Sequence, residues 1–464
     1  MADHATSRLR PEDVQRRAQL VELREKAVVA QAAVETQRLS QVTQTSYLLG
    51  KLPVETLVEI FTVLIEEDHT WAVKLSHVCG HWRRILVNTP SAWQTLVLSK
   101  KRPVQKAKLW KQRAKNRIAR ISIYASSLDR DAVFAQLRDL SWEGLTSLCI
   151  PGEALVGLHR MLSDVSLSHA FSKLEELTLL DFMSSKQLSC CLSGRDWRLR
   201  SLHLSNPSNF PWNLADEWWQ HIQQLKELHL TGHIGHFSML VFTANPSLER
   251  LVLDCPWIEE AAPNIDQDDG PLSMDHLRRV ECRGTKSFDV LSAITAPSIM
   301  YFGMFKTAKA DEVLLHMASR PSLVELHVTH CSLSPSTLPT LLSSTPNLET
   351  LRINGVYAVV NEMFQFLAPK EVDALPCRAL KHVDVSYCPD LTTSSVYAFV
   401  KTREQYASES VGPAEKCAVI ASLKMDGCPN IEPDMLSWFR SKVALFSCVY
   451  ATKKDLKKDR RRHP

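Results

Sequence analysis

From about residue 93 onward, apolar and polar positions fall into one recurring unit, L-x-x-L-x-L, whose last apolar positions alternate with polar ones. It reads LEELTL at 174, LRSLHL at 199, LKELHL at 225, LERLVL at 248, LRRVEC at 277, LVELHV at 323 and LETLRI at 348. It returns as LKHVDV at 380 and IASLKM at 420, and more loosely as LTSLCI at 145 and IMYFGM at 299. WQTLVL at 93 and IARISI at 118 are candidate first rungs. Between 145 and 348 the copies lie 22 to 29 residues apart, and the spacing then lengthens. Alternation predicts a strand in each copy. Pro-x-Leu or Pro-x-Ile precedes several of them, at Pro246, Pro297, Pro321 and Pro346. Proline ends the preceding segment and aims the chain into the strand. Segments such as DEVLLHMASR and STLPTLLSST before these prolines predict helices.

One strand–turn–helix unit cannot bury its apolar face alone, whereas stacked units share a continuous core. The period is that of leucine-rich repeats, and it predicts an α/β solenoid of about ten to twelve units with a parallel sheet on its concave face and helices on its convex face. Residues eight positions after the first Leu close each turn: Cys331, Val356, Cys388 and Cys428. These cysteines read as small packing residues, since no partner that would lower a thiol pKa is evident.

The stretch before the ladder is different. LPVETLVEIFTVLIEE sets Leu57, Ile60, Phe61 and Leu64 on one helical face, and KLSHVCGHWRRILV sets Leu75, Val78, Cys79, Trp82 and Leu86 on another. The two runs predict a helical hairpin too small to bury itself. Further upstream, residues 11–40 read as one helix with a thin, Ala-rich stripe. That stripe fits either a short coiled-coil seam or a solvated lead-in.

Residues 52–93 resemble the F-box motif. Leu52-Pro53 opens it, Leu57 and the apolar pair Ile60-Phe61 follow, and Val78-Cys79-x-x-Trp82 with Arg83-Arg84 forms the second signature. TPSAW at 89–93 matches the closing element of fungal members, while Val54 and Thr56 depart from the common pattern. SYCPDLT and DGCPNIE resemble the cysteine-containing repeats often joined to F-boxes. The resemblance implies a non-catalytic substrate receptor of a Skp–cullin–F-box ubiquitin ligase. Its F-box would dock on a Skp-type adaptor, and its solenoid would hold an unknown protein substrate. Carried over, Leu52, Pro53, Leu57, Ile60, Phe61, Val78, Cys79 and Trp82 are adaptor-facing or hairpin-core positions, two roles that the sequence does not separate. The competing reading is a scaffolding repeat protein whose hairpin only caps the solenoid. The expected organisation is a lead-in at 1–49, an F-box at 50–96, the solenoid at 97–446 and a basic tail at 447–464.

Charge narrows the partners. The net charge is +4, and the run from Lys453 to Pro464 carries +5 of it, which leaves the remainder near −1. A near-neutral body argues against nucleic acid as a partner. The tail itself fits either a solvated end or a nuclear-import signal. Lys100 to Arg120 holds ten Lys/Arg and no acid; it reads as the first convex helix, with Leu109 or Trp110 buried, in preference to a membrane or nucleic-acid helix. No apolar run is long enough for a membrane span, and no apolar leader opens the chain, so a cytoplasmic or nuclear location is expected. Twelve Cys without a C-x-x-C suit reduced thiols.

No cofactor motif and no catalytic constellation occurs: there is no P-loop, G-x-S-x-G, H-E-x-x-H or G-x-G-x-x-G. Candidate substrate-binding residues are those alternating with the buried Leu positions: His203, His229, Arg250, Arg279, Arg283, Tyr301, Phe305, His327, Arg352 and His382. His203 and His229 should be cross-strand neighbours. No third ligand is fixed beside them, so no metal site is expected.

Overall fold

In a computed structural model, residues 52–450 are described apart from 125–129, 139, 163–170, 182–197, 207–211, 214–221, 233, 238, 256–257, 262–270, 285–289, 308, 358, 370–374 and 410–416. The lead-in helix expected at 11–40 and the basic run Lys453–Pro464 lie outside these residues, whereas 447–450, expected as part of the tail, are described and Ser447 ends the last strand. The chain divides into two compact units, one ending at Trp93 and the other beginning at Gln94.

Among the described residues, the first unit contains three α-helices, α1 (Val54–Glu67), α2 (Trp71–Ser76) and α3 (Gly80–Val87), and a closing 3-10 turn at Pro90–Trp93. The run 74–87, expected to be one helix, is broken. Cys79 is extended (φ −155°, ψ 168°), and its Sγ accepts a hydrogen bond from the Trp82 N–H, so it caps α3. Trp93 is fully buried and its indole N–H donates to the Leu86 carbonyl at 2.8 Å.

Among the described residues, the second unit is built on a ladder of fourteen parallel strands in chain order. These are β1 (Thr95–Leu98), β2 (Arg120–Ile123), β3 (Ser147–Pro151), β4 (Glu176–Leu180), β5 (Ser201–Asn206), β6 (Glu227–Gly232) and β7 (Arg250–Asp254). They continue as β8 (Arg279–Arg283), β9 (Tyr301–Phe305), β10 (Glu325–Thr329), β11 (Thr350–Asn354), β12 (His382–Asp384), β13 (Ser422–Lys424) and β14 (Leu445–Ser447). All thirteen L-x-x-L-x-L segments supply a strand. The count exceeds ten to twelve because both candidate first rungs form and because β14 adds a rung at the end.

Register follows the apolar pattern. Leu177, Leu202, Leu228, Leu251, Val280, Phe302, Leu326, Leu351, Val383 and Leu423 are Cα partners in succession. A one-residue slip would turn every one of them to water. All ten are buried, each worth about 1.5–3 kcal/mol relative to exposure. Helices pack on this buried side, including Pro103–Arg113, Ala310–Ala318, Thr337–Ser343 and Val360–Leu367. In the basic stretch it is Trp110 and Ala107 that are buried, with the Trp110 N–H donating to the Thr95 carbonyl at 3.0 Å; Leu109 is exposed. Between β5 and β8 the segment before Pro246 is helical, as expected, at Leu240–Ala244, while Trp212–Asn213, Ile234–Phe237 and Ile258–Ala261 are short strands that form a second parallel sheet.

Eight rungs end in the same way. Seven positions after the leading apolar residue the backbone turns left-handed, at Asp181, Gly232, Gly284, Lys306, His330, Gly355, Tyr387 and Gly427. One position further on, Cys331, Cys388 and Cys428 are buried as packing residues. The Cys388 thiol donates to the Ile353 carbonyl and the Cys428 thiol to the Val385 carbonyl, both at 3.1 Å, which ties each rung to the one before. Burial pushes these thiols up to about 11 and about 12, so they remain protonated.

Candidate functional site

The helical unit sorts its predicted residues by burial. Pro53 precedes α1 and its carbonyl accepts from the Leu57 N–H at 3.1 Å. Leu57 is 1% and Phe61 2% exposed, so both belong to the unit's own core. The Phe61 ring lies 4.8 Å from that of Trp82, tilted by 59°. Leu52 and Trp82 are half-buried. Pro53, Cys79, Ile60 (42%) and Val78 (60%) are exposed.

Of the further exposed apolar residues, Val54, Val63, Val73 and Val87, it is Val63, 58% exposed, that sits three residues from Ile60 on the same flank of α1. Its signal was the i, i+3 spacing from Ile60, outside the stripe that runs through Leu57 and Phe61. At the end of α1, Asp68 accepts hydrogen bonds from the hydroxyl and N–H of Thr70, which hold its carboxyl at about 2 and start α2.

The second array is the open face of the sheet. Alternate strand positions point there because successive side chains leave a strand on opposite sides. His203 and His229 are Cα partners on β5 and β6, and their rings stack at 3.9 Å with a 4° interplanar angle. Burial first, then the charges of His203 and Arg250, lowers His229 to about 4, and burial lowers His203. The pair is therefore two neutral rings at neutral pH. Among the described residues no group of three or more His, Cys, Asp or Glu could hold a metal ion.

The arginines and aromatics gather over β7 to β10. Glu281 Oε1 accepts from Arg250 at 3.2 Å and from Arg279 at 3.0 Å. Arg283 pairs with Asp254 at 3.6 Å, and His327 with Glu325 at 2.6 Å. Burial raises Glu281, but the Arg279 and Arg250 contacts outweigh it and hold the carboxyl below its usual range. The Arg279 guanidinium stacks 3.6 Å over the Tyr301 ring, and the Tyr301 hydroxyl lies 3.0 Å from His327 Nδ1. The Arg283 guanidinium lies 5.4 Å over the Phe305 ring.

Gly303 makes this layout possible. A Cβ there would come within 2.9 Å of the Tyr301 hydroxyl, so only Gly lets the ring lie down along its own strand. Arg352 is more loosely held, 4.0 Å from Glu325, and His382 stands apart and exposed on β12. Alternation along the sequence puts Asp254, Glu281 and Glu325 on the same face as the arginines and rings, but it does not show which cation each carboxylate pairs with.

A family model described as F-box-like matches residues 49–99. No curated protein matches the chain. Among solved structures, an internalin (inlF) from Listeria monocytogenes aligns with 79% of this chain and 90% of its own, at 13% identity and a TM-score of 0.42. A chain of the Rad7 and Elc1 complex in yeast aligns with 95% of this chain and 98% of its own, at 11% identity and a TM-score of 0.35. Residues 49–99 are thus an F-box-like domain, and the in-register Leu ladder that follows has the architecture of leucine-rich repeats.

Proposed function

We propose that the chain is the non-catalytic substrate receptor of a Skp–cullin–F-box ubiquitin ligase. The observation that carries this reading is the apolar surface left in water by the F-box-like domain: Ile60 and Val63 on α1 and Val78 ahead of α3 are exposed while Leu57 and Phe61 seal the core. Exposed apolar residues grouped on a small helical unit favour a protein partner over solvent. In this reading Ile60, Val78, Cys79 and Pro53 face the Skp-type adaptor, half-buried Leu52 and Trp82 line the edge of the contact, and Leu57 and Phe61 support it. The open face over β7–β10 presents Arg and Tyr, residue types that dominate the energetics of protein interfaces, and so supports the substrate role. Ubiquitin transfer would be performed by other subunits.

The test is capture of a purified Skp-type adaptor–cullin complex by the full chain. Wild type is expected to retain it. A Leu52→Ala/Ile60→Ala/Trp82→Ala triple variant is expected to lose it while the ladder unfolds at an unchanged temperature. Retention by the triple variant, or no capture by wild type, would replace this reading with a scaffolding protein whose helical unit is only a cap.

A further inference from the structure

The near-neutral charge of the body, which spoke against nucleic acid, is an average of two unlike parts. Lys100 to Arg120 carries +10, so with +5 in the tail and +4 overall the rest of the chain stands at −11. Around the helix Pro103–Arg113, packing accounts for the apolar residues and for three of the cations. Ala107, Trp110 and Ala114 are buried. Lys106 Nζ lies 4.8 Å over the Trp110 ring, Lys111 Nζ donates to the Gln136 carbonyl at 3.1 Å, and Arg113 is half-buried. Outside the sheet the other six, Lys100, Lys101, Arg102, Lys108, Lys115 and Arg117, are exposed, and none has an ion-pair partner among the described residues.

Within the helix the exposed residues Gln105, Lys108, Leu109 and Gln112 fall at i, i+3, i+4 and i+7, which is one face. Lys100–Arg102 stand at the start of that face and Lys115–Arg117 at its end, about 16 Å apart along the helix. The layout works against the helix itself. Its first turn holds no acid, the N-cap Arg102 makes no capping hydrogen bond, and three cations crowd the end where the helix dipole is already positive. No carboxylate among the described residues offsets that repulsion; a polyanion lying along the face would.

We propose that this face binds the phosphate backbone of duplex nucleic acid without regard to sequence. Three features select that partner. Protein interfaces are depleted in Lys and centre on aromatic and apolar anchors, whereas the only exposed apolar side chain on this face of the helix is Leu109, 38% exposed. A membrane helix needs an apolar face to insert, and here that face is sealed by the burial of Ala107, Trp110 and Ala114. Lysines interspersed with the amides of Gln105, Gln112 and Asn116 suit phosphate oxygens, and a duplex presents one charge per about 1.7 Å of its axis. The activity is separate from adaptor docking and does not depend on it.

A fluorescein-labelled DNA duplex of about 20 base pairs is titrated with the full chain and followed by anisotropy from about 50 to 200 mM salt. The tail is also basic, so the background is a full-length variant with the seven Lys/Arg of Lys453–Pro464 changed to Gln. It should bind with a slope of log K against log salt of about −4, which corresponds to about four or five phosphate contacts. Adding Lys101→Ala/Lys108→Ala/Lys115→Ala should bring the slope to about −1 and weaken binding at low salt by about tenfold or more. The same three positions as Arg should keep the slope, and Lys226→Ala, which removes a cation paired with Glu249 elsewhere on the ladder, should not change it. If the Ala variant fails to fold, as read by thermal unfolding, Gln at the three positions carries the comparison. No duplex binding by the tail-neutralised chain, or a slope that survives loss of the three lysines, overturns the proposal. So does binding of polyglutamate or of phosphatidylserine vesicles as tight as that of the duplex. Adaptor capture goes through residues 52–82, so failure here with capture intact removes this site alone.

Discussion

Ile60→Ala and Phe61→Ala alter adjacent residues of α1 and separate the core of the F-box-like domain from its proposed docking surface. Phe61 is 2% exposed and its ring packs 4.8 Å from Trp82. Truncating a sealed Phe removes the transfer energy of the ring and leaves a cavity, a loss of about 3–5 kcal/mol. Domains are stable by only about 5–15 kcal/mol, so this one change takes much of the margin. Ile60 is 42% exposed. Ile→Ala removes apolar groups worth about 2.4 kcal/mol if fully buried, at about 0.8 kcal/mol per methylene. With over half of Ile60 already covered, the free chain should lose only about 1–1.5 kcal/mol. The rest, about 1 kcal/mol or about fivefold in Kd, is lost on docking. Urea unfolding followed by hydrogen exchange at residues 54–87 reads the first quantity, and calorimetric titration with a Skp-type adaptor reads the second. The reasoning is refuted if Ile60→Ala unfolds the domain as fully as Phe61→Ala, or if it binds the adaptor with the wild-type Kd.

Three further outcomes follow from the ladder. Gly427 has φ +73°, and a Cβ there would lie 2.6 Å from the Tyr387 ring. Gly427→Ala should therefore cost about 1–2 kcal/mol for the backbone plus the displacement of Tyr387. A Tyr387→Gly background should reduce the loss to the backbone share, and an unchanged urea midpoint for Gly427→Ala would contradict this. Cys388 and Cys428, pushed from 9.0 to about 11 and about 12, should resist thiol reagents at neutral pH while exposed Cys79 reacts. Their thiols ionise first in the unfolded chain, so the stability they contribute is complete below pH 9 and is lost as pH rises toward 11–12. The difference in stability between wild type and Cys388→Ala/Cys428→Ala should shrink over that range; a constant difference would count against it. His229, lowered from 6.5 to about 4, should stay neutral at pH 5, and its contribution should be lost as pH falls from 6.5 through about 4. An NMR titration midpoint near 6.5 for its ring would contradict the packing described.

Legibility in the sequence tracks how strictly each element obeys one period. Every L-x-x-L-x-L segment became a rung because buried Leu at fixed spacing leaves one register open. The rung at β14 was hidden by its residue types: Val443, Phe446 and Cys448 hold the same spacing as Ile420, Leu423 and Met425 on the neighbouring rung. The break at Cys79 was hidden for another reason. Apolar residues continue at helical spacing across it, and only the Cys-Gly step marks the extended residue that caps α3. The short strands at 212–213, 234–237 and 258–261 lie in segments with no Leu repeat, so the solenoid period was silent there. In the F-box-like domain the motif located the residues but not their roles. Ile60 and Phe61 are both apolar and adjacent, and only the packing of α1 against Trp82 shows which of them is sealed. On the open face the candidates could be read from alternation. Which charges are paired depends on side-chain reach across neighbouring rungs, and that is set by the register.

Hydrogen exchange of the full chain, alone and with a purified Skp-type adaptor, tests the central claim most directly. The account predicts a stable complex with new protection in peptides spanning 52–63 and 77–84, and little change over β7–β13. No complex, or protection on the ladder with none around Ile60 and Val78, would contradict it.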